Sequence, residues 1–314
     1  MSSQDTAAAR SSNSSGVSAD TARLMRLATY ASVATALLLI LAKIVAYLLT
    51  DSVSMLSTML DSLLDAAASL INLIAVRHAL TPADREHRFG HGKAEALAGL
   101  GQSAFIAGSA VFLFFESAGR LVTPMPVTNG IVGIGVMLFS MAMTLALVLF
   151  QRHVIRRTGS IAVSADSLHY VGDIGANLAV LAALVLSSQF GWNRADPIFA
   201  IGVSFYIVFT AWQIARGAFD MLMDREMPDA ERKQIRTIVM ANPRVRNMHD
   251  LRTRRSGPHR FIQFHLEMDP EMRLMEAHDL SDEVEAAILR EFPAAEVIIH
   301  EDPEGVNEGR KTFA

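Results

Sequence analysis

The sequence predicts an α-helical membrane protein with six transmembrane helices, followed by a C-terminal cytoplasmic α+β domain. Three observations predict this fold class. The chain has 314 residues, of which 51% are hydrophobic and 19% are charged, and this is too apolar for an ordinary soluble protein of that size. Six stretches are long enough to cross a hydrocarbon core about 30 Å thick. After about residue 223 the composition changes to that of a soluble domain.

The six apolar stretches make up a predicted transmembrane domain over residues 23–220. Residues 1–22 are rich in serine and alanine and lack the apolar region of a signal peptide, so we predict a disordered tail. Lysine and arginine concentrate in the loops on one side of the bundle, and the positive-inside rule then makes both termini cytoplasmic. The stretches are 25–49, 53–77, 95–119, 128–151, 160–188 and 196–218.

Residues 221–306 are predicted to form the cytoplasmic α+β domain, with 307–314 as a loose tail. A helix begins after Pro228, and a second helix carries Leu280 and Ile288 on one face. Alternating apolar residues indicate half-buried strands. The order αββαβ is typical of a small metallochaperone-like domain, with strands at 245–254, 260–268 and 296–300.

Composition also limits the chemistry. The chain has no cysteine, so disulfides and thiolate metal sites are excluded, which argues against a Cu(I) carrier. Nitrogen and oxygen ligands remain, and they suit harder or borderline divalent ions. The net charge of −4 gives no support for nucleic-acid binding.

Four metal-ligand side chains interrupt two of the apolar stretches, in two pairs with the spacing i, i+4. Each pair lies on one helix face. Counted from the basic flanks at about 1.5 Å per residue, both pairs lie about 18–24 Å along their helices. Ionisable groups in hydrocarbon indicate function, and this set predicts a site for Zn²⁺ or Fe²⁺. Alternatively, one of the acids pairs with Lys43. This membrane site consists of Asp61, Asp65, His169 and Asp173.

A second set, here named the loop site, consists of Asp84, His87 and His91. Its spacing around Gly90 can bring three ligands together, which predicts a weak or auxiliary metal site. Solvated loop histidines are the alternative. Asp166, three residues before His169, is predicted to face a pore entrance or to cap or solvate its helix.

The predicted α+β domain holds a third concentration of histidines. Pairing of its strands can bring three of them together near acidic residues, although each alone is typical of a solvated surface position. These histidines are His249, His265, His278 and His300, with Glu301 and Asp302 beside the last. We interpret His153 and His259 as solvated and His78 as interfacial.

Several motifs together resemble the cation diffusion facilitator family, and most closely its bacterial branch of ferrous-iron and zinc efflux proteins. The resemblance covers the chain after its N-terminal tail. The motifs are LDSLLD at 60–65, HRFGHGKAE at 87–95, DSLHYVGD at 166–173, HDLRTRRSGP at 249–258, FIQFHLEM at 261–268 and VIIHEDP at 297–303.

The resemblance implies a homodimeric Zn²⁺/H⁺ antiporter of the bacterial inner membrane, with Fe²⁺ or Cd²⁺ as further substrates. It implies that the membrane site transports the ion and that the loop site binds metal. It also implies an interlocking salt bridge between Lys93 and Asp224, which joins the membrane and cytoplasmic parts of the dimer. Glu301 replaces an amide of relatives and adds negative charge. The implied ligands of a dinuclear cytoplasmic site at the dimer interface are His249, His265, His278, His300 and Asp302.

A mechanism follows from the chemistry of His169. Imidazole binds either a metal or a proton near neutral pH, so His169 is the predicted group for proton coupling. The ligand types alone also allow Co²⁺ or Mn²⁺. An intramembrane hydrolase is a poor alternative, because the chain has no HExxH motif and Gly172 lacks the second glycine of GxGD. A metal-binding membrane scaffold or sensor that does not transport stays open as an alternative.

Overall fold

The computed structural model describes residues 19–50, 53–122, 131–190 and 195–306. The chain divides into a helical unit, Thr21–Phe219, and a second compact unit that begins at Asp220. Most of the predicted N-terminal tail and all of the predicted C-terminal tail lie outside the described residues.

Six long helices form the helical unit. Four of them, α1, α3, α4 and α6, are long and apolar enough to cross a membrane. Within the described residues, α2 and α5 do not meet that standard, although the sequence predicts six spans. These two helices carry the acids and the histidine of the membrane site. The bounds are α1 (Ala19–Thr50), α2 (Val53–Ala79), α3 (Lys93–Val122), α4 (Ile131–Thr158), α5 (Ile161–Phe190) and α6 (Ala195–Leu222).

Helix α5 is the most widely packed helix of this unit. It contacts α2, α3 and α4. On its α6 side, a methyl group at Gly172 would lie 3.2 Å from Cδ1 of Ile207, so the end of this side chain packs against the glycine next to Asp173. The ligands on α5 are therefore carried by a helix with neighbours on several sides.

The second unit is a two-layer α+β domain with a three-stranded sheet. Strands β1 and β2 are antiparallel, β2 and β3 are parallel, and β2 lies in the middle. The observed order αββαβ agrees with the sequence-based prediction. The elements are α7 (Asp229–Met240), β1 (Asn247–Ser256), β2 (His259–Met268), α8 (Leu274–Glu291) and β3 (Ala295–Pro303).

Both helices of this domain pack on one face of the sheet. Ile262, Phe264 and Leu266 alternate along β2 and are buried in a core with Ile235 of α7 and Leu280 of α8. Because successive strand residues point to opposite faces, the residues between them point away from the helices. This second face carries the histidines.

Candidate metal centres

The helical unit brings three of the four membrane-site residues together. Nε2 of His169 on α5 lies 2.9 Å from Oδ1 of Asp65 on α2 and 3.9 Å from Oδ2 of Asp173, one turn further along α5. One ligand atom from each residue lies within 4.8 Å of the others. Ligand atoms around a tetrahedral zinc ion are about 3.4 Å apart, so a small inward movement would let all three bind one ion.

The membrane site is only partly buried. The side chains of His169, Asp65 and Asp173 are 11%, 22% and 40% exposed, so an ion can reach them. Asp61 lies in α2, one turn before Asp65, but its side chain falls outside the described residues and its role stays a prediction. Lys43 is the alternative partner for an acid of this site, and its Nζ donates to Oγ of Ser62 at 2.5 Å. Asp65 contacts His169.

A buried hydrogen-bond network surrounds Asp166 near the start of α5. Asp166 is 1% exposed, and its Oδ2 accepts a hydrogen bond from Nε2 of Gln151 on α4 at 2.6 Å. Its Oδ1 lies 3.5 Å from Nε2 of Gln102 on α3 and from Oγ of Ser69 on α2. Ser69 in turn lies 2.9 Å from the hydroxyl of Tyr170. The prediction that Asp166 faces an entrance or solvent is wrong, because packing of α2, α3 and α4 around α5 encloses it.

Replacing Asp166 with alanine should destabilise the helical unit. The substitution removes the acceptor of buried donors on three neighbouring helices, and one buried donor without a partner costs about 1–3 kcal/mol. We expect a loss of about 2 kcal/mol or more, measured as a lower midpoint of thermal unfolding in detergent. Ser164→Ala, on the same helix, is the control and should change the midpoint little. An unchanged midpoint for Asp166→Ala would contradict the structural role of this network.

The three residues of the loop site lie together between α2 and α3. Oδ2 of Asp84 is 3.3 Å from Nε2 of His91, and its Oδ1 is 3.6 Å from Nδ1 of His87. Hydrogen bonds from the backbone N–H of His87 first, and of Glu86, hold the pKa of the Asp84 carboxyl below its usual value. The ionised carboxylate and two imidazoles form a group whose ligand atoms lie within 4.8 Å of one another.

Three histidines form a row across the three strands of the second unit. In the strand register His249 pairs with His265, and His265 pairs with His300. The neighbouring ring centroids are 5.0 and 4.5 Å apart. The row lies on the sheet face away from the helices, because His265 alternates with the buried Phe264 and Leu266.

Asp302 on β3 contacts all three histidines of the row. Its Oδ2 is 2.6 Å from Nδ1 of His265 and 3.4 Å from Nε2 of His249, and its Oδ1 is 3.1 Å from Nε2 of His300. Its side chain is only 4% exposed. The structure thus brings together four of the five residues predicted for the cytoplasmic site.

The fifth residue, His278, is not part of this group within the described chain. It lies on α8, exposed, with its Nε2 3.8 Å from Asp282, and α8 packs on the opposite face of the sheet. Glu301 also points toward α8, where it accepts a hydrogen bond of 2.8 Å from Oγ of Ser281. The expectation that its charge adds to the site is wrong, since Glu301 and its neighbours in sequence project to opposite faces.

Two acids near the histidine row were missed in the sequence. Oε1 of Glu267 lies 2.9 Å from Nδ1 of His249, and Oδ2 of Asp250 lies 3.8 Å from Nε2 of His265. Asp250 has a positive φ of 46°, at a shift in the strand register between His249 and Arg252. Such a bulge re-aims a side chain, and strict alternation could not have predicted it. Glu267 could have been found, because it lies two residues after His265.

Three predicted positions remain, namely Lys93, Asp224 and His259. Lys93 begins α3, and Asp224 follows α6 with a φ of 55° and lies 3.2 Å from Nη1 of Arg254. The predicted salt bridge between Lys93 and Asp224 stays a prediction. His259 begins β2. The prediction that it is solvated is wrong, because it is half-buried. This burial lowers the pKa of the His259 imidazole.

A helical bundle with four helices apolar enough to cross a membrane holds one carboxylate–imidazole group, and the α+β domain holds a second. Together they define a membrane protein that handles metal cations. Residues 29–223 match the cation efflux transmembrane domain, and residues 227–304 match the cytoplasmic domain of cation efflux proteins. The chain belongs to the cation efflux, or cation diffusion facilitator, family and is a transporter rather than an enzyme.

The relatives of the chain are similar over almost their whole length. The cation-efflux pump FieF of Klebsiella pneumoniae is 53% identical over 284 residues, which is 90% of this chain and 94% of the relative. The FieF of Salmonella paratyphi A is 53% identical over 291 residues, 92% of this chain and 97% of the relative. The solved metal-bound C-terminal domain of the CzcD transporter from Thermotoga maritima is 30% identical, covers 26% of this chain and 100% of its own, and has a TM-score of 0.25.

Proposed function

We propose that this protein exports divalent metal cations from the cytoplasm in exchange for protons, as a homodimer, by alternating access. Zn²⁺ is the principal substrate, with Fe²⁺ and Cd²⁺ as further substrates. The observation that carries the proposal is the group of Asp65, His169 and Asp173 on α2 and α5, whose ligand atoms lie within 4.8 Å of one another. Asp61 is the proposed fourth ligand.

The exchange of a metal ion for protons is supported by the atoms with which the group would bind the metal. The contact of 2.9 Å between Nε2 of His169 and Oδ1 of Asp65 needs a proton between the two atoms. A metal ion needs the same nitrogen and oxygen without that proton. Proton and metal therefore compete for the same position, so arrival of a proton on the acidic side releases the ion.

The energetics favour a coupled mechanism. Export of a dication against about 100 mV, negative inside, costs roughly 4.6 kcal/mol before any concentration gradient. Two protons that enter in exchange would balance the charge, and each would add about 1.4 kcal/mol per pH unit of gradient. Uncoupled export has no comparable source of free energy.

We place the protein in the bacterial inner membrane with six spans and with both termini in the cytoplasm. In this arrangement α2 and α5 cross together with the four more apolar helices and hold the membrane site inside the bilayer. The concentration of lysine and arginine in the loops of one side supports the orientation. The chemistry of the ligands supports the substrate, because carboxylates with an imidazole suit Zn²⁺ and neighbouring divalent ions.

The cytoplasmic site would stabilise the dimer. We propose that His249, His265, His300 and Asp302 bind metal at the dimer interface, with His278 as the fifth ligand of the predicted dinuclear site. The proposed salt bridge between Lys93 and Asp224 would interlock the membrane and cytoplasmic parts of the same dimer.

Zinc uptake into proteoliposomes tests the proposed function. The purified full-length protein is reconstituted, a pH gradient is imposed, and zinc is followed with an enclosed fluorescent indicator. Uptake should depend on the protein, follow the direction of the pH gradient and stop when the gradient is dissipated. Tight zinc binding without any uptake would contradict the proposal and would indicate the scaffold or sensor alternative. A series of metals in the same assay ranks the substrates.

A further inference from the structure

His78, near the end of α2, lies beside the loop site, whereas its place in the sequence predicts only an interfacial residue. Its ring centroid is 4.6 Å from that of His91, at an interplanar angle of 63°. The ring centroid of His87, a residue of the loop site, is also 4.6 Å from that of His91. His91 is therefore flanked by two imidazoles at the same distance.

These distances resemble those of imidazoles that share a metal ion. With Zn–N bonds of about 2.0–2.1 Å and tetrahedral angles, two histidine rings on one zinc ion have centroids about 5 Å apart. The ring of His91 is also oriented for this role. Its Nδ1 lies 3.4 Å from the backbone carbonyl of Thr81, and its Nε2 faces Asp84 at 3.3 Å. A hydrogen bond from one ring nitrogen to a carbonyl leaves the other free to bind metal.

We propose that His78 is a fourth ligand of the loop site. The proposal rests on the loop site of Asp84, His87 and His91 and adds a residue to it. With His78 the donors become three imidazoles and one carboxylate, which is a complete tetrahedral set for zinc. Three ligands alone would leave one position open to water.

His78 reaches this position by rotation of its own side chain. The ligand atoms that lie within 4.8 Å of one another belong to Asp84, His87 and His91, so His78 must move toward them. It is exposed, and exposed side chains change rotamer within picoseconds to nanoseconds. His78 also lies at the turn in which α2 ends and the loop begins, because the N–H of Thr81 donates to the carbonyl of His78 at 2.9 Å.

A closed loop site would tie the end of α2 to the start of α3. His78 belongs to α2, whereas His91 lies two residues before α3 begins at Lys93. Metal binding would then fix the connection between two helices of the unit that holds the membrane site. A site closed by four protein ligands is suited to a structural role rather than to passing the ion on.

Cobalt(II) tests this inference, because tetrahedral Co²⁺ gives a strong visible absorption band. The parent is the full-length chain with Asp65→Asn and Asp302→Asn, so that the membrane and cytoplasmic sites are weakened. His78→Phe keeps a ring beside His91 but removes the ligand. We expect a weaker band and an affinity at least about 100-fold lower, the upper end of the loss that follows removal of an outer-shell partner. His78→Asp should restore part of the affinity, and His153→Phe, a matched exposed histidine, should change neither quantity.

The outcomes separate this inference from the loop site itself. If Asp84→Asn abolishes the band while His78→Phe leaves band and affinity unchanged, the loop site stands and the role of His78 is overturned. If the parent shows no tetrahedral band at all, the loop site fails as well, while the membrane site is still tested by zinc uptake. Size-exclusion profiles of all variants show whether each remains folded.

Discussion

Replacing Asp65 with asparagine is expected to abolish zinc transport and to weaken zinc binding at the membrane site by at least about 100-fold, or ~2.7 kcal/mol. Asp65 is the only described ligand of this site on α2, and its Oδ1 lies 2.9 Å from Nε2 of His169. An amide has nearly the same shape but lacks the charge. The loss of zinc binding would therefore be due to the missing charge and the missing metal bond rather than to altered packing.

Zinc uptake into proteoliposomes and calorimetric titration of the same preparation measure this effect. Glu116→Gln is the matched control, since Glu116 is also an acid in an apolar helix, α3, and is exposed. It should transport zinc at a rate close to that of the original protein. Full uptake by Asp65→Asn would remove this residue from the transport site.

Replacing Asp302 with asparagine should abolish most zinc binding by the cytoplasmic site. The carboxylate contacts His249, His265 and His300 at 2.6–3.4 Å, so it is the shared centre of the group. A ligand at 1,000 times its dissociation constant stabilises a folded protein by about 4.1 kcal/mol. The variant should lose most of such a zinc-dependent gain in thermal stability.

The measurement is the unfolding midpoint of the full-length protein with and without zinc. Asp269→Asn, which affects an exposed pair with Arg246, should keep the zinc-dependent gain. If Asp302→Asn is stabilised by zinc as much as the original protein, the cytoplasmic site does not centre on Asp302. Fewer zinc ions bound per protomer in calorimetry would provide an independent confirmation.

Regular spacings in the sequence were enough to predict much of the membrane site and of the histidine row. The pair His169 and Asp173 needed only the helical repeat, because residues four apart share a helix face. The ladder from His249 to His300 needed only strand pairing. Alternation along β3 could also have shown that Glu301 points away from the site, since His300 and Asp302 share the other face.

Other features depend on packing that local patterns do not contain. The partners of Asp166 come from separate helices, so their contact requires the arrangement of the whole bundle. Asp250 reaches His265 because of a strand bulge, and a bulge breaks the alternation used for prediction. His78 meets His91 because the loop turns back on the end of α2. These contacts between distant residues could not be predicted from one sequence.

Zinc uptake by His169→Ala tests the central claim most directly, namely that metal and proton exchange on the group of acids and imidazole between α2 and α5. The variant and the original protein are reconstituted at equal density and compared under the same pH gradient, with His153→Ala as the control histidine. We expect uptake by His169→Ala to fall to the level of protein-free liposomes, while His153→Ala transports normally. Full uptake driven by the pH gradient in His169→Ala would contradict the account.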